Sequence, residues 1–401
     1  SIETDTLRIW THDNFGEDLL INVRNGGIYY WDKTSGFTSR AVSLDSLTGS
    51  TSAPTIAKQI LVSDRDRHII AFGCDTEANP GVQDPLAIRF SSQESLTDWA
   101  STATNTAGEL RLGSGSEIVS AVETRQQILV YTDESLYAMQ FLGPPFTFGV
   151  NLVSENITTM GPLAAIAVED NVFWMGLKEF YVYGGTVQRL PCSVRDFVFD
   201  DFNLEQREKV VAATNTAFSE VWWFYPSGSS TTNDKYVVYN YEQQVWYYGT
   251  LARSFWMDRG IFENPIAAGP NNYLYTQESG FDDDGSALTA YIESSQMDLG
   301  DGDQFSFIRR IIPDLTFRGS TAGSPVANIT VKTRNFPGGN YLQSTSSAVT
   351  KTASAPVEQF TDQVNLRLRG RSFAVRVEST ATGVGWRLGS PRLDIRPDGR
   401  K

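Results

Sequence analysis

The stretch Gln126-Gln127-Ile128-Leu129-Val130-Tyr131-Thr132-Asp133-Glu134-Ser135-Leu136-Tyr137-Ala138-Met139 decides how the rest of the chain is read. Two short runs of β-forming residues flank a polar turn, and neither run carries the apolar spacing of a helix. Apolar side chains at consecutive positions give a strand two apolar faces. A sheet made of such strands cannot bury both faces alone, so it must stack between neighbours of the same kind.

The phrase recurs. Its copies are Gly16–Ile21 with Gly27–Trp31, Arg65–Phe72 with Leu86–Phe90, and Asp170–Met175 with Glu179–Tyr183. A further copy is Glu220–Phe224 with Tyr236–Asn240 and Gln244–Tyr248, and a truncated sixth is Asn271–Tyr275. Taking Gly16, Asp66, Gln126, Asp170, Phe218 and Asn271 as starts, the spacings are 50, 60, 44, 48 and 53 residues. Units of roughly 40–50 residues holding several short strands are the mark of propeller blades. The fold expected is all-β, with a β-propeller of about six blades over residues 1–287. A large sandwich with hairpins at similar intervals is the alternative. Thr34–Thr55, Asp75–Asp84 and Ser91–Ser116 interrupt the strand pattern and read as contact-making loops on one rim. The best helical signal is Phe202–Val210.

After Asp282-Asp283-Asp284-Gly285 the strands lengthen: Phe305–Phe317, Ala327–Arg334, Val364–Arg369 and Ser372–Glu378. Residues 364–378 alternate with a period of two, arginines on one face, and read as a half-exposed antiparallel hairpin. A boundary near 287 leaves residues 288–401 as a smaller antiparallel, β-sandwich-like domain.

Composition narrows the function. With 401 residues, 40% hydrophobic, 12% aromatic and only 20% charged, the chain has material for a large core and does not read as disordered. No apolar run approaches the ~20 residues of a membrane span, so no stable membrane insertion is expected. The opening Ser1-Ile2-Glu3-Thr4-Asp5 does not resemble a signal peptide and reads as a processed or partial start. The net charge of −14 argues against a surface that grips nucleic acid throughout. That charge is uneven: residues 1–287 hold 18 basic and 37 acidic side chains, residues 288–401 hold 15 basic and 10 acidic. Two regions with different partners, or opposite ends of one assembly, are implied.

Catalytic patterns are thin. Nucleophilic catalysis needs a histidine beside the nucleophile, and only His12 and His68 occur, each next to aspartates in turn-like sequence. Cys74 and Cys192 stand alone, which offers neither a disulfide framework nor a zinc pair and fits a reducing site of folding. Paired carboxylates remain, because sugar-cleaving propellers use axial acids with tryptophan platforms; nothing in the sequence says which of the 47 acidic residues would converge. Asp282–Gly285 and Asp298–Asp303 have the oxygen-rich look of calcium loops, but lack EF-hand spacing and read as turns. No phosphate-cradling glycine loop occurs. Glu220–Tyr225 and Val245–Tyr248 read as core rather than ligand cage. No catalytic residue, cofactor or metal is expected, and the chain does not read as an enzyme. The remaining candidates are the tail arginines Arg387, Arg392, Arg396 and Arg400: a solvated basic face, or a docking surface for an acidic neighbour such as the 1–287 region of another copy.

The phrases Trp10–Leu20, Gly143-Pro144-Pro145-Phe146, Val221–Pro226 and Pro391–Arg400 resemble the tail hub and nozzle proteins of short-tailed bacteriophages, also called DNA-stabilisation or tail tubular proteins. The resemblance spans most of the chain and rests on structural phrases without chemistry. It implies a virion tail component, assembled in the host cytoplasm as a ring, often a hexamer, beneath the portal and adaptor. Genomic DNA would be sealed in its channel and pass at ejection without sequence recognition. A carbohydrate-active or glycan-binding propeller acting on host surface sugars is the alternative.

Overall fold

The computed structural model describes residues 7–298, 302–342 and 350–400. Two compact units divide the chain between Gln277 and Glu278, earlier than the 287 read from the sequence. The first holds six antiparallel sheets, each a meander in which consecutive strands pair. Sheet one contains β1 (Trp10–Phe15), β2 (Asp18–Val23), β3 (Ile28–Trp31) and β4 (Val42–Ser43). Sheet two contains β5 (Gln59–Val62), β6 (Ile69–Phe72), β7 (Ala87–Phe90) and β8 (Gly108–Arg111). Sheet three contains β9 (Ile118–Glu123), β10 (Ile128–Thr132), β11 (Ser135–Gly143) and β12 (Thr147–Glu155). Sheet four contains β13 (Ala165–Val168), β14 (Asn171–Met175), β15 (Phe180–Tyr183) and β16 (Val187–Leu190). Sheet five contains β17 (Val211–Asn215), β18 (Glu220–Tyr225), β19 (Lys235–Asn240) and β20 (Val245–Thr250). Sheet six has three strands, β21 (Phe255–Met257), β22 (Ile266–Ala268) and β23 (Leu274–Thr276). The first strands β1, β5, β9, β13, β17 and β21 neighbour one another in that order. These are propeller blades.

Side-chain alternation builds the core between blades. Ile69 and Ala71 pack toward blade one, while Ile70 and Phe72 pack toward blade three. Leu129 and Tyr131 face blade four, Ile128 and Val130 face blade two. Trp222 joins the layer shared with blade six and Trp223 the layer shared with blade four, so the aromatic run Glu220–Tyr225 is core. Five such layers join six blades. Among the described residues no buried apolar cluster joins blade six to blade one. The free face of blade six leaves Phe255, Met257 and Leu274 at 46%, 42% and 76% exposure, and Trp10 on blade one stands at 53%.

Three expectations are corrected. Ser91–Ser116 is not all loop: it supplies β8, the half-exposed outermost strand of its blade, whose polar side chains hid it. Thr34–Thr55 likewise supplies the two-residue β4. Phe202–Val210 is not an α-helix but a short 3₁₀ segment, Leu204–Lys209, capped by the Asn203 side chain, which accepts from Glu205 N–H; the α-helix α1 lies just before it, at Arg195–Asp200.

The second unit opens with a two-residue ribbon, β24 (Asp282–Asp283) and β25 (Ser286–Ala287). Its turn residues Asp284 and Gly285 have φ of 48° and 79°, the left-handed pair of a tight hairpin. Asp282–Gly285 is therefore turn chemistry. In the other Asp-rich stretch, Asp298–Asp303, residues 299–301 lie outside the described residues, as do Ser1–Thr6. One sheet contains β26 (Ala290–Glu293), β27 (Met297–Asp298), β30 (Val326–Arg334), β31 (Thr352–Glu358) and β33 (Ser372–Ser379). Facing it through a shared core, β28 (Ser306–Ile312) is flanked by β32 (Val364–Gly370) and β35 (Arg392–Pro397). A small ribbon pairs β29 (Leu315–Thr316) with β34 (Arg387–Leu388). This is a sandwich, and it overturns the hairpin read into 364–378: β32 pairs with β28, and β33 with β30. Only Arg371 separates β32 from β33, too little for a hairpin turn, so the chain crosses between sheets there. Gly370 makes the crossing possible, because a Cβ on it would lie 2.7 Å from Thr333 Cβ.

Candidate functional site

Two charged surfaces stand out, one in each unit. In the propeller, carboxylates at the ends of the first strands clasp neighbouring blades. Asp13 on β1 accepts from Val62 N–H of blade two at 2.8 Å. Glu123, the last residue of β9, accepts from Asp64 N–H at 3.0 Å. Asp258, just past β21, accepts from Thr216 N–H at 3.0 Å and Thr214 Oγ1–H at 3.1 Å of blade five. Each carboxylate satisfies backbone or hydroxyl donors that the blade's own ladder leaves open.

Around Glu123 the acids crowd. A cleft of about 390 Å³ is lined by Asp64, Glu123 and Glu169 together with Arg65, Thr124 and Arg125. Burial pushes the Glu123 carboxyl up to about 7, helped by the like charges of Asp64, Asp13 and Asp66 and opposed by the Asp64 N–H. Burial raises Asp13 as well. Glu169 holds a left-handed backbone, φ 54°, and also lines a neighbouring groove between blades four and five.

The linkage follows from these directions. Glu123 keeps its proton in the folded chain up to about pH 7, whereas an unfolded glutamate loses it near ~4.3. The stabilisation it brings is complete below the unfolded value and is lost as pH rises through 7. Replacing Glu123 with glutamine is expected to flatten the fall in unfolding free energy between pH 5 and 8 by on the order of 1–2 kcal/mol, allowing for the wet part of the carboxyl. Urea titrations at both pH values check it.

The second surface is the outer face of the β32–β28–β35 sheet. Leu366, Leu368, Ile308 and Ile311 point into the sandwich core, as do Leu393 and Ile395. The alternate positions carry Arg367 and Arg369 on β32, and Arg392, Asp394 and Arg396 on β35. A bulge in β28 breaks the pairing register between Ile308 and Arg310. Both flanking isoleucines are buried, so Arg309 and Arg310 lie together between them on the outer side. Six arginines thus share a three-stranded face. Asp394 meets Arg310 at 3.3 Å and Arg396 at 4.0 Å, and Asp398 pairs with Arg369. Among the described residues Arg309, Arg367 and Arg392 form no ion pair.

Of the tail arginines singled out in the sequence, Arg392 and Arg396 belong to this face. Arg400 lies past the strand and pairs with Asp303 at 3.2 Å. Arg387 sits on the separate β29–β34 ribbon. Sequence reasoning did not join β28 to them, although the adjacent Arg309-Arg310 in a strand was a usable sign of a bulge.

His68, Cys74 and Cys192 pack against apolar side chains. His68 is buried among Phe90, Phe141 and Phe148, its Nε2 3.2 Å from Thr106 Oγ1, and burial lowers its pKa. Burial pushes the thiols of Cys74 and Cys192 up to about 12 and about 11, so both stay protonated and weakly nucleophilic at neutral pH. Among the described residues no group of three or more His, Cys, Asp or Glu side chains could hold a metal ion.

No family model matches the sequence, and no curated protein matches it. Among solved structures, one titled "YCF48 bound to D1 peptide" is similar at a TM-score of 0.38 and 8% identity, covering 67% of this chain and 77% of that one.

Proposed function

We propose that the chain is a structural subunit of a short-tailed phage tail, a nozzle or hub ring that seals the DNA channel beneath portal and adaptor and lets DNA pass at ejection. The observation that carries this reading is the pairing of an acidic propeller with an arginine sheet face on one chain. Divided at the structural boundary, residues 1–277 hold 18 basic and 33 acidic side chains, and residues 278–401 hold 15 and 14. The second unit is near neutral overall, and its positive charge is gathered on one face. Unlike surfaces on one chain support head-to-tail contacts, which close into rings when the rotation allows. An acidic wall also repels phosphate, which suits DNA that must slide rather than bind.

Analytical ultracentrifugation tests this reading. The protein is expected to sediment as a closed oligomer in ~50 mM salt and to lose mass toward the 44.4 kDa chain near ~1 M salt. A monomer at every salt concentration overturns it.

One observation favours a second reading. The cleft places the raised carboxyl of Glu123 beside Asp64 and Glu169, a grouping of carboxyls such as glycoside hydrolases use. Among the described residues no tryptophan lines it, and Glu123 is engaged in clasping two blades. Release of reducing sugar from host-surface polysaccharide, abolished by Glu123→Gln, would establish that reading in place of the first.

A further inference from the structure

We propose that the arginine face of the β32–β28–β35 sheet docks on the acidic cleft around Glu123 in the propeller of a second copy of this chain. This contact rests on the ring-forming reading and names the two surfaces that would meet.

The face is rigid and incompletely neutralised. Its strands are held from below by a shared apolar core, and the β28 bulge adds two arginines where regular alternation would give one. Like charges side by side on a sheet are unfavourable, and here two aspartates face six guanidinium groups. An anionic partner relieves this. Guanidinium forks on fixed strands suit carboxylates, which they bind in pairs of parallel hydrogen bonds.

The cleft has the opposite imbalance. Asp64, Glu123 and Glu169 line it with Arg65 and Arg125, Asp13 and Asp66 add like charge beside Glu123, and Arg125 reaches Asp170 at 3.9 Å. The cleft is concave, about 390 Å³, and long arginine side chains can enter it from a flat sheet. The favoured occupant of the face is a carboxylate surface rather than nucleic acid. A chain of net charge −14, all of it carried by the propeller, repels a phosphate backbone at long range.

The test uses the full chain in two forms. One carries Arg309→Glu, Arg367→Glu and Arg392→Glu; the other carries Asp64→Lys and Glu169→Lys. Thermal melts confirm that both fold. Each alone is expected to be monomeric in low salt, its self-association weakened about 100-fold or more. Mixed in equal amounts they are expected to assemble together, because the intact face of one meets the intact cleft of the other and the reversed face meets the reversed cleft. Combining all five substitutions in one chain is expected to restore self-association. Rings that the variants leave intact overturn this contact alone, and so does a mixture that stays monomeric while the unmodified chain assembles. Retention of the unmodified chain on duplex DNA, lost in the arginine-face variant, assigns the face to phosphate and overturns the contact as well. An unmodified chain that never assembles overturns the ring reading itself.

Discussion

Replacing Trp223 with alanine is expected to lower the unfolding free energy by about 4 kcal/mol, the cost of emptying a large aromatic site that cannot collapse. Trp223 is fully buried in the layer between blades four and five. Its ring lies 4.9 Å from Phe180 and 6.0 Å from Trp246. Its Nε1–H donates to Ala164 O at 3.1 Å, on the segment leading into blade four. The substitution therefore removes apolar area, leaves a cavity and takes away one of the two hydrogen bonds that Ala164 O accepts, the other coming from Met175 N–H. Trp223→Phe keeps most of the area and loses the hydrogen bond, so it is expected to cost about 1–2 kcal/mol. Urea unfolding followed by tryptophan fluorescence and circular dichroism checks both. Near-equal effects of the two variants would mean that the hydrogen bond, not the packing, dominates the site.

Asp75→Ala is expected to cost about 3 kcal/mol and to loosen a rim loop before the propeller as a whole unfolds. Asp75 is 1% exposed. Its carboxylate accepts from Thr55 N–H at 3.0 Å, from Thr55 Oγ1–H at 2.7 Å and from Gly81 N–H at 2.7 Å. One buried acid thus ties the chain entering blade two to the long insert between β6 and β7. Alanine removes the acceptor these donors share and with it the link between half-buried Thr55 and exposed Gly81. Hydrogen exchange is expected to show faster exchange at Thr55 and Gly81 with little change in β10 or β14. Uniform acceleration across all blades would contradict a local anchoring role.

How far the sequence could be read depended on whether a side chain's partner was near in sequence. Trp222 and Trp223 announced a sheet buried on both faces, and the structure sends one to each neighbouring blade. Repeating turns announced the blades, because a meander pairs consecutive strands. Polar outer strands such as Gly108–Arg111 escaped notice, since the outermost strand of a blade has no apolar obligation to meet. The run from Val364 to Glu378 misled for another reason. Period-two alternation marks strands but does not say which strands pair, and the single residue Arg371 between β32 and β33 was the available sign of a crossing. The charged surfaces were half legible. Arg367 and Arg369 declared themselves by alternation, but Arg309, Arg310, Arg392 and Arg396 join them only through pairings that span tens of residues. The clasping role of Asp13 and Glu123 was hidden, because each accepts from the backbone of an adjacent blade, Asp13 from the following one and Glu123 from the preceding one.

The central claim is that this chain builds a ring, and electron microscopy of the full chain in low salt tests it most directly. Class averages of particles are expected to show a closed annulus with an open centre and one repeated subunit. Averages showing only single two-unit chains, or open filaments that never close, would contradict it.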